Sequence, residues 1–150
     1  MKLHFIDVII LIGILSVLSL VIVIPHFFRI RVGIVNDGYR SLMALSHEIK
    51  GVAVSNNLAW HEYSGLFQTD NKEYERLHTI SKELVFTRRL AARKVVEINE
   101  NMVIRREDLR EIIPFVKQFE DTISRMTPQD KIRFKEVVNH VAECHKILGE

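Results

Sequence analysis

The sequence is poor in the residues that cross-link or interrupt small folds: it has one cysteine, three prolines and six glycines in 150 residues. The single cysteine, Cys144, excludes a disulfide within the chain and is compatible with a reducing compartment. The scarcity of proline and glycine leaves no candidate for a long flexible linker. A formal net charge of +2 over so many ionised groups is not typical of a dedicated nucleic-acid-binding protein.

Motifs that mark common enzyme classes are also missing from the sequence. It contains no glycine-rich phosphate loop, no G-x-S-x-G turn, no H-E-x-x-H pair and no paired cysteines. Cys144 and His145 are neighbours in sequence, but adjacent residues of a helix do not face each other. We therefore expect a protein that is not an enzyme, with no catalytic residue and no bound cofactor.

Seven histidines raise the question of a metal site. Glu75 and His78 have the Glu-x-x-His spacing of di-iron helical bundles, but those proteins use a second such motif and two further glutamates. Glu136, His140 and Cys144 recur every four residues and share one helical face, which supplies fewer ligands than a structural zinc site normally has. We expect no metal ligands here, and a metal- or haem-associated redox subunit is an alternative that rests on the histidines alone.

The longest stretch without charge runs from Val8 to Phe28 and contains no Asp, Glu, Lys or Arg. At about 1.5 Å per residue, a helix of this length covers roughly 30 Å, the thickness of the hydrocarbon core of a bilayer. A cleavable signal peptide usually has a shorter apolar core and a small-x-small cleavage site, which the exit through Pro25 does not offer. Residues 1–28 are therefore predicted to form an uncleaved N-terminal transmembrane anchor, and residues 29–150 a helical domain.

Small residues mark one side of the predicted span. Gly13, Ser16 and Ser19 lie three residues apart and are expected to let another transmembrane helix pack closely. Arg29 and Arg31 follow the span and are expected to contact anionic lipid headgroups. Because Arg29, Arg31 and Arg40 follow the span and only Lys2 and the α-amine precede it, the positive-inside rule predicts a cytoplasmic helical domain.

Beyond the anchor, apolar residues recur at intervals of three and four, the period of an amphipathic helix. This pattern predicts one long helix over about residues 37–67, opened by Asn36-Asp37-Gly38, and a second over about residues 71–103 after a polar turn. Their matched lengths and near-heptad pattern predict an antiparallel hairpin resembling a coiled coil. The predicted buried stripes are Leu42, Leu45, Ile49, Val52, Ala59, Tyr63 and Leu66 in the first helix, and Leu77, Ile80, Leu84, Ala91, Val95, Ile98 and Met102 in the second.

Two shorter helices are predicted after a break around residues 105–108. Pro114 requires the third helix either to start near Ile113 or to bend there. The run Thr127-Pro128-Gln129-Asp130 is a helix-start signal, and Gly149 ends the fourth helix. The expected fold is all-α: a single N-terminal transmembrane helix followed by a helical bundle, in which a long antiparallel hairpin packs with two shorter helices.

A basic cluster and the only tryptophan are the candidate partner surface, namely Trp60, Arg88, Arg89, Arg93 and Lys94. The expected function is that of a non-catalytic accessory or assembly subunit, or a scaffold, in a membrane protein complex that forms through helix–helix contacts. Its expected partners are membrane lipid and other membrane proteins or a second copy, and not nucleic acid. The main alternative is a membrane-anchored helical sensor that binds a ligand.

Overall fold

The computed structural model describes residues 4–67 and 71–149, with the side chains of residues 26–37, 67 and 71 excepted. Within these ranges the chain is helical and has no strand, which confirms the predicted all-α class. The α-helices are α1 (Phe5–Tyr63), α2 (Asn71–Asn99), α3 (Ile113–Ser124), α4 (Pro128–Arg133) and α5 (Lys135–Leu148), and 3-10 helices cover Ser64–Phe67 and Arg106–Ile112. The chain divides into two compact units, Met1–Asn36 and Asp37–Glu150.

The first unit contains the apolar part of α1. Its segment Phe5–Pro25 has a mean hydropathy of 3.1, and none of this segment is buried. Near the start of the helix, the Asp7 carboxylate accepts a hydrogen bond of 3.3 Å from the backbone N–H of His4. The segment is long and apolar enough to cross a membrane, as predicted from its composition.

In the second unit, the carboxyl-terminal part of α1 packs with α2, α3 and α5 around one hydrophobic core. Phe119 and Phe134 are its largest fully buried side chains. Helices α1 and α2 run in opposite directions, since Trp60 contacts Tyr74 whereas Asn56, earlier in α1, contacts Ser81, later in α2. A polar contact also joins the first and last of these helices, because Glu48 of α1 hydrogen-bonds to His140 of α5.

The predicted helix starts are confirmed where local chemistry decides them. Helix α3 begins at Ile113 and places Pro114 in its first turn, where a missing N–H costs nothing. The Thr127 hydroxyl accepts from the Asp130 N–H at 3.2 Å, and the Asp130 carboxylate accepts from the Thr127 N–H at 3.0 Å. Gly149 ends α5 with a φ of 74°, a conformation that suits glycine.

The predicted helix start at Asn36-Asp37-Gly38 is wrong, because α1 continues through these residues without a break. Gly38 has a different reason to be glycine. A Cβ added there would lie 2.9 Å from the carbonyl carbon of Ile104 and closer still to its oxygen. The glycine therefore allows two backbones to approach, and it does not start a helix.

Three further predictions need correction. Leu66 and Met102 were expected in the core but are 63% and 95% exposed, because α1 and α2 end before reaching them. The predicted fourth helix is two helices, since Phe134 leaves helical geometry (φ −102°, ψ 29°) between α4 and α5.

Some predictions lie outside the described part of the molecule. The polar turn expected after the first long helix, which contains Thr69 and Asp70, falls on residues 68–70. Arg29 and Arg31 lie on helix α1, but their side chains are outside the described set, so the predicted headgroup contact stays a prediction.

Candidate interaction surface

The contact between α1 and α2 has a buried amide at its centre. Asn56 is 1% exposed, and its Nδ2 donates to Ser81 Oγ at 3.0 Å and to the Ser81 carbonyl at 3.3 Å. Its Oδ1 has no hydrogen-bond partner among the described residues. A buried amide is stable only where its hydrogen bonds form, so we expect this contact to favour one register of the two helices.

One helical turn away, three aromatic rings cover the end of the α1–α2 contact. Trp60 of α1 lies 5.3 Å, between ring centroids, from both Tyr74 and His78 of α2. Tyr74 and His78 stack at 5.7 Å with an interplanar angle of 16°. These distances are typical of favourable aromatic pairs, so Trp60 is held in one orientation and remains half-buried.

Beside these residues, α1 and α2 enclose an open cleft of about 580 Å³, which we call the α1–α2 cleft. Its apolar wall includes Trp60 and Phe86, and the Phe86 side chain is 59% exposed. Its charged residues are Lys82 and Arg89, and no Asp or Glu is among the described residues that line it. The other lining residues are Ala53, Asn56, Asn57, His78, Ser81 and Val85.

Polar side-chain contacts join the other helices. Between α2 and α3, Arg125 Nη1 donates to Glu83 Oε1 at 3.1 Å, and the pKa of Arg125 is raised by this hydrogen bond. Between α1 and α5, His140 Nδ1 lies 2.6 Å from Glu48 Oε2.

A third polar contact of this kind joins α3 and α5. His145 of α5 lies in close contact with Glu120 of α3. The α1–α2 cleft differs from these three helix contacts because Lys82 and Arg89 have no ion-pair partner within the described residues.

A buried ion pair connects α2 to the start of α4. Asp130 is 1% exposed, and its Oδ2 lies 2.6 Å from Arg76 Nη1. Burial alone would raise the pKa of Asp130, but the hydrogen bonds from Arg76 and Thr127 outweigh it and lower the pKa. Arg133 extends the contact, with Nη1 at 3.9 Å from Asp130 Oδ1 and the guanidinium 5.8 Å from the centre of the Tyr63 ring.

The structure separates the residues of the predicted partner surface. Trp60 and Arg89 meet at the α1–α2 cleft, whereas Arg88 and Arg93 do not line it. Arg88 is half-buried, and its Nε has no hydrogen-bond partner among the described residues. Lys94 is occupied within the molecule, because its Nζ lies 3.0 Å from Glu97 and 3.3 Å from Glu111, and these hydrogen bonds raise its pKa.

The candidate metal-ligating row of Glu136, His140 and Cys144 is also divided. His140 bonds to Glu48, and Cys144 lies fully buried in the core. Burial, with the negative charges of Glu48 and Glu143, raises the pKa of the Cys144 thiol to about 12. The described residues contain no group of three or more His, Cys, Asp or Glu side chains placed to hold a metal ion.

Several residues of the cleft were not singled out from the sequence. Phe86 is an apolar residue off the buried stripe of α2, which was the one available signal for an exposed contact residue. Ser81 and Lys82 carry no sequence signal, since only the position of α1 decides what they face. Comparison of the chain with protein-family models, with curated proteins and with solved structures finds no match.

Proposed function

We propose that this chain is a single-pass membrane protein anchored by α1. The proposal is supported by the segment Phe5–Pro25, which is apolar, 21 residues long and without a buried residue. A helix of that length covers about 30 Å, and leaving so much apolar surface in water would be very unfavourable. A lipid bilayer removes this cost.

The small residues of the anchor fit a lipid environment. Ser16 Oγ donates to the Ile12 carbonyl at 2.9 Å, and Ser19 Oγ donates to the Leu15 carbonyl at 3.0 Å. Both hydroxyls are therefore satisfied within the helix and need no water. A Cβ at Gly13 would meet nothing within 4 Å, so this position leaves space in which we propose that a second transmembrane helix packs.

We place the helical domain on the cytoplasmic side of the membrane. Arg29, Arg31 and Arg40 follow the span, whereas Lys2 is the only Lys or Arg before it. In this orientation Arg29 and Arg31 contact anionic headgroups. A reporter that is active only in the cytoplasm, fused after the helical domain, should be active, and an inactive reporter of normal abundance would reverse the assignment.

The proposed activity of the helical domain is interaction with another protein, as a non-catalytic accessory or assembly subunit or a scaffold of a membrane complex. The observation that carries this proposal is the α1–α2 cleft. An exposed Phe86, a half-buried Trp60 and the cations Lys82 and Arg89 lie together beside a well-packed core. Exposed aromatic and arginine side chains at one site are typical of protein–protein contact residues.

The first test is the mass of the tagged chain after gentle detergent extraction of natively expressed protein, with its co-purifying proteins. We expect an assembly larger than one chain, and a monomer without partners would contradict the proposal. If the cleft forms the contact with the partner, Phe86→Ser should dissociate the assembly. Val96→Ser is the matched control, since Val96 is equally exposed on α2 but does not line the cleft.

A ligand-binding sensor is the second candidate function, and one observation favours it. The cleft has the size of a small-molecule site, and Asn56 within it has an Oδ1 without a hydrogen-bond partner in the described residues. This hypothesis predicts that a specific small molecule raises the unfolding temperature. Asn56→Leu should remove that stabilisation, and no stabilisation across a metabolite set would count against the sensor hypothesis.

A further inference from the structure

The charged side chains that line the α1–α2 cleft, Lys82 and Arg89, are both positive. Lys82 and Arg89 lie about one and three turns along α2 from His78, and none of the described lining residues is acidic. Neither cation has an ion-pair partner among the described residues, whereas Arg125 at the end of α3 contacts Glu83 and Lys94 of α2 contacts Glu111. An anionic group placed in the cleft would therefore gain two attractive contacts and meet no carboxylate.

The shape of the cleft favours a bound group larger than a small ion. It lies between α1 and α2 and is lined by residues 53–60 and 78–89, and a groove between two helices can receive the side chains of a third. Trp60 and Phe86 give this groove an apolar wall, and Lys82 and Arg89 give it a positive one. An inorganic anion would contact the cations but would leave the apolar surface of Phe86 in water.

We propose that the α1–α2 cleft binds an acidic amphipathic helix of a partner protein. Apolar side chains on one face of that helix cover Phe86 and Trp60, and its Glu or Asp side chains pair with Lys82 and Arg89. This inference rests on the proposed interaction function and names the chemistry of its partner.

The tryptophan of the cleft makes direct observation possible, because Trp60 is the only tryptophan in the chain. The full chain is reconstituted in neutral phosphatidylcholine nanodiscs and titrated with a tryptophan-free peptide of about four heptads, with Leu at the core positions and Glu elsewhere. We expect a saturable blue shift of Trp60 emission that weakens as salt rises, since cover by apolar side chains removes water and the attraction is electrostatic. The same peptide with Lys in place of Glu should produce no shift.

Charge reversal tests whether the two cations are the contact. Lys82→Glu with Arg89→Glu should weaken binding of the Glu peptide by about tenfold or more and should create binding of the Lys peptide. The control is Lys117→Glu with Lys131→Glu, which changes the net charge equally at two exposed lysines outside the cleft. This control should bind the Glu peptide as the unmodified chain does.

Other outcomes overturn the proposal. A Trp60 shift that depends on Lys82 and Arg89 but is produced by phosphatidylglycerol vesicles, and not by the peptide, would identify the cleft as a lipid-binding site. A shift with inorganic phosphate alone would identify a small-anion site. Equal loss of peptide binding in the control variant would show a nonspecific charge effect. If extraction yields a complex whose mass survives the cleft reversal, the interaction function stands and the proposed cleft partner fails.

Discussion

The imidazole ring of His140 occupies the space that a side chain at position 51 would need. A Cβ added to Gly51 would lie 2.6 Å from His140 Nδ1, the same atom that contacts Glu48 at 2.6 Å. Glycine at this position of α1 therefore permits the polar contact between α1 and α5. Gly38 makes a similar close approach, but there the neighbour is the Ile104 backbone.

Alanine substitutions at the glycines should rank in stability by what each new methyl group meets. Gly38→Ala collides with a backbone carbonyl that cannot rotate away, so we expect a loss of about 3 kcal/mol. Gly51→Ala displaces a side chain, and since alanine favours helix, the expected net loss is smaller, about 1 kcal/mol. Thermal unfolding of the full chain in detergent, followed by circular dichroism, gives the order.

Gly65→Ala is the control for this series, because nothing lies within 4 Å of an added Cβ there. Its unfolding temperature should stay close to that of the unmodified chain. If Gly38→Ala proved as stable as Gly65→Ala, the close approach to Ile104 would be refuted.

A charge introduced at the buried Asn56–Ser81 contact should lower the stability of the fold more than removal of both polar side chains. Asn56→Asp places an unpaired carboxylate against the Ser81 carbonyl and should cost about 3 kcal/mol. Asn56→Leu combined with Ser81→Ala removes both partners and should cost little, because no buried polar group is left unsatisfied by the change. Chemical denaturation measures both effects, and Asn57→Asp, at an exposed neighbouring position, is the matched control.

A double variant as unstable as Asn56→Asp would contradict this account. It would mean that the Asn56–Ser81 hydrogen bonds contribute net stability, and that they do more than specify how α1 and α2 align.

Acid should destabilise the helical domain partly through Asp130. Because its pKa is lower in the folded chain than in the unfolded one, its stabilising contribution is complete above the unfolded value, about 3.9, and is lost as pH falls through the folded value. Asp130→Asn should lower stability by about 2 kcal/mol at neutral pH and should flatten the decline in stability below about pH 4.

The control for this pH dependence is Asp121→Asn, at an exposed position. Stability is measured by denaturant titration at a series of pH values. An Asp130→Asn profile parallel to that of the unmodified chain at low pH would show that other carboxylates govern acid unfolding.

Cys144 should be unreactive in the folded protein. Burial raises the pKa of its thiol to about 12, so almost no thiolate is present at neutral pH, and the sulfur is inaccessible. Alkylation by iodoacetamide should therefore be slow and should accelerate with denaturant in step with unfolding. In Ser124→Cys, the added thiol lies at an exposed position and should react at once. Rapid alkylation of Cys144 while the helical content stays unchanged would show that Cys144 is not buried in the core.

Most of the helices and core residues, and the apolar segment, were predictable from the sequence alone. These depend on local properties: the spacing of apolar residues, the Thr127 cap, Pro114 in a first turn and the hydropathy of residues 5–25. The prediction of buried residues was wrong at Leu66 and Met102, because the apolar periodicity of the sequence continues past the ends of α1 and α2.

Contacts between side chains of different helices, and the charges that remain unpaired, became visible only in the folded chain. Gly38 was predicted to belong to a helix start, but it lies inside α1, where its backbone closely approaches the backbone of Ile104. Ile104 is distant in sequence, so only the fold brings the two residues together. Lys94 and Arg89 belong to one basic run of sequence, yet Lys94 contacts Glu111 and Arg89 lines the α1–α2 cleft. The physical reason is that charge pairing depends on distances between helices, and sequence spacing reports only distances within one helix.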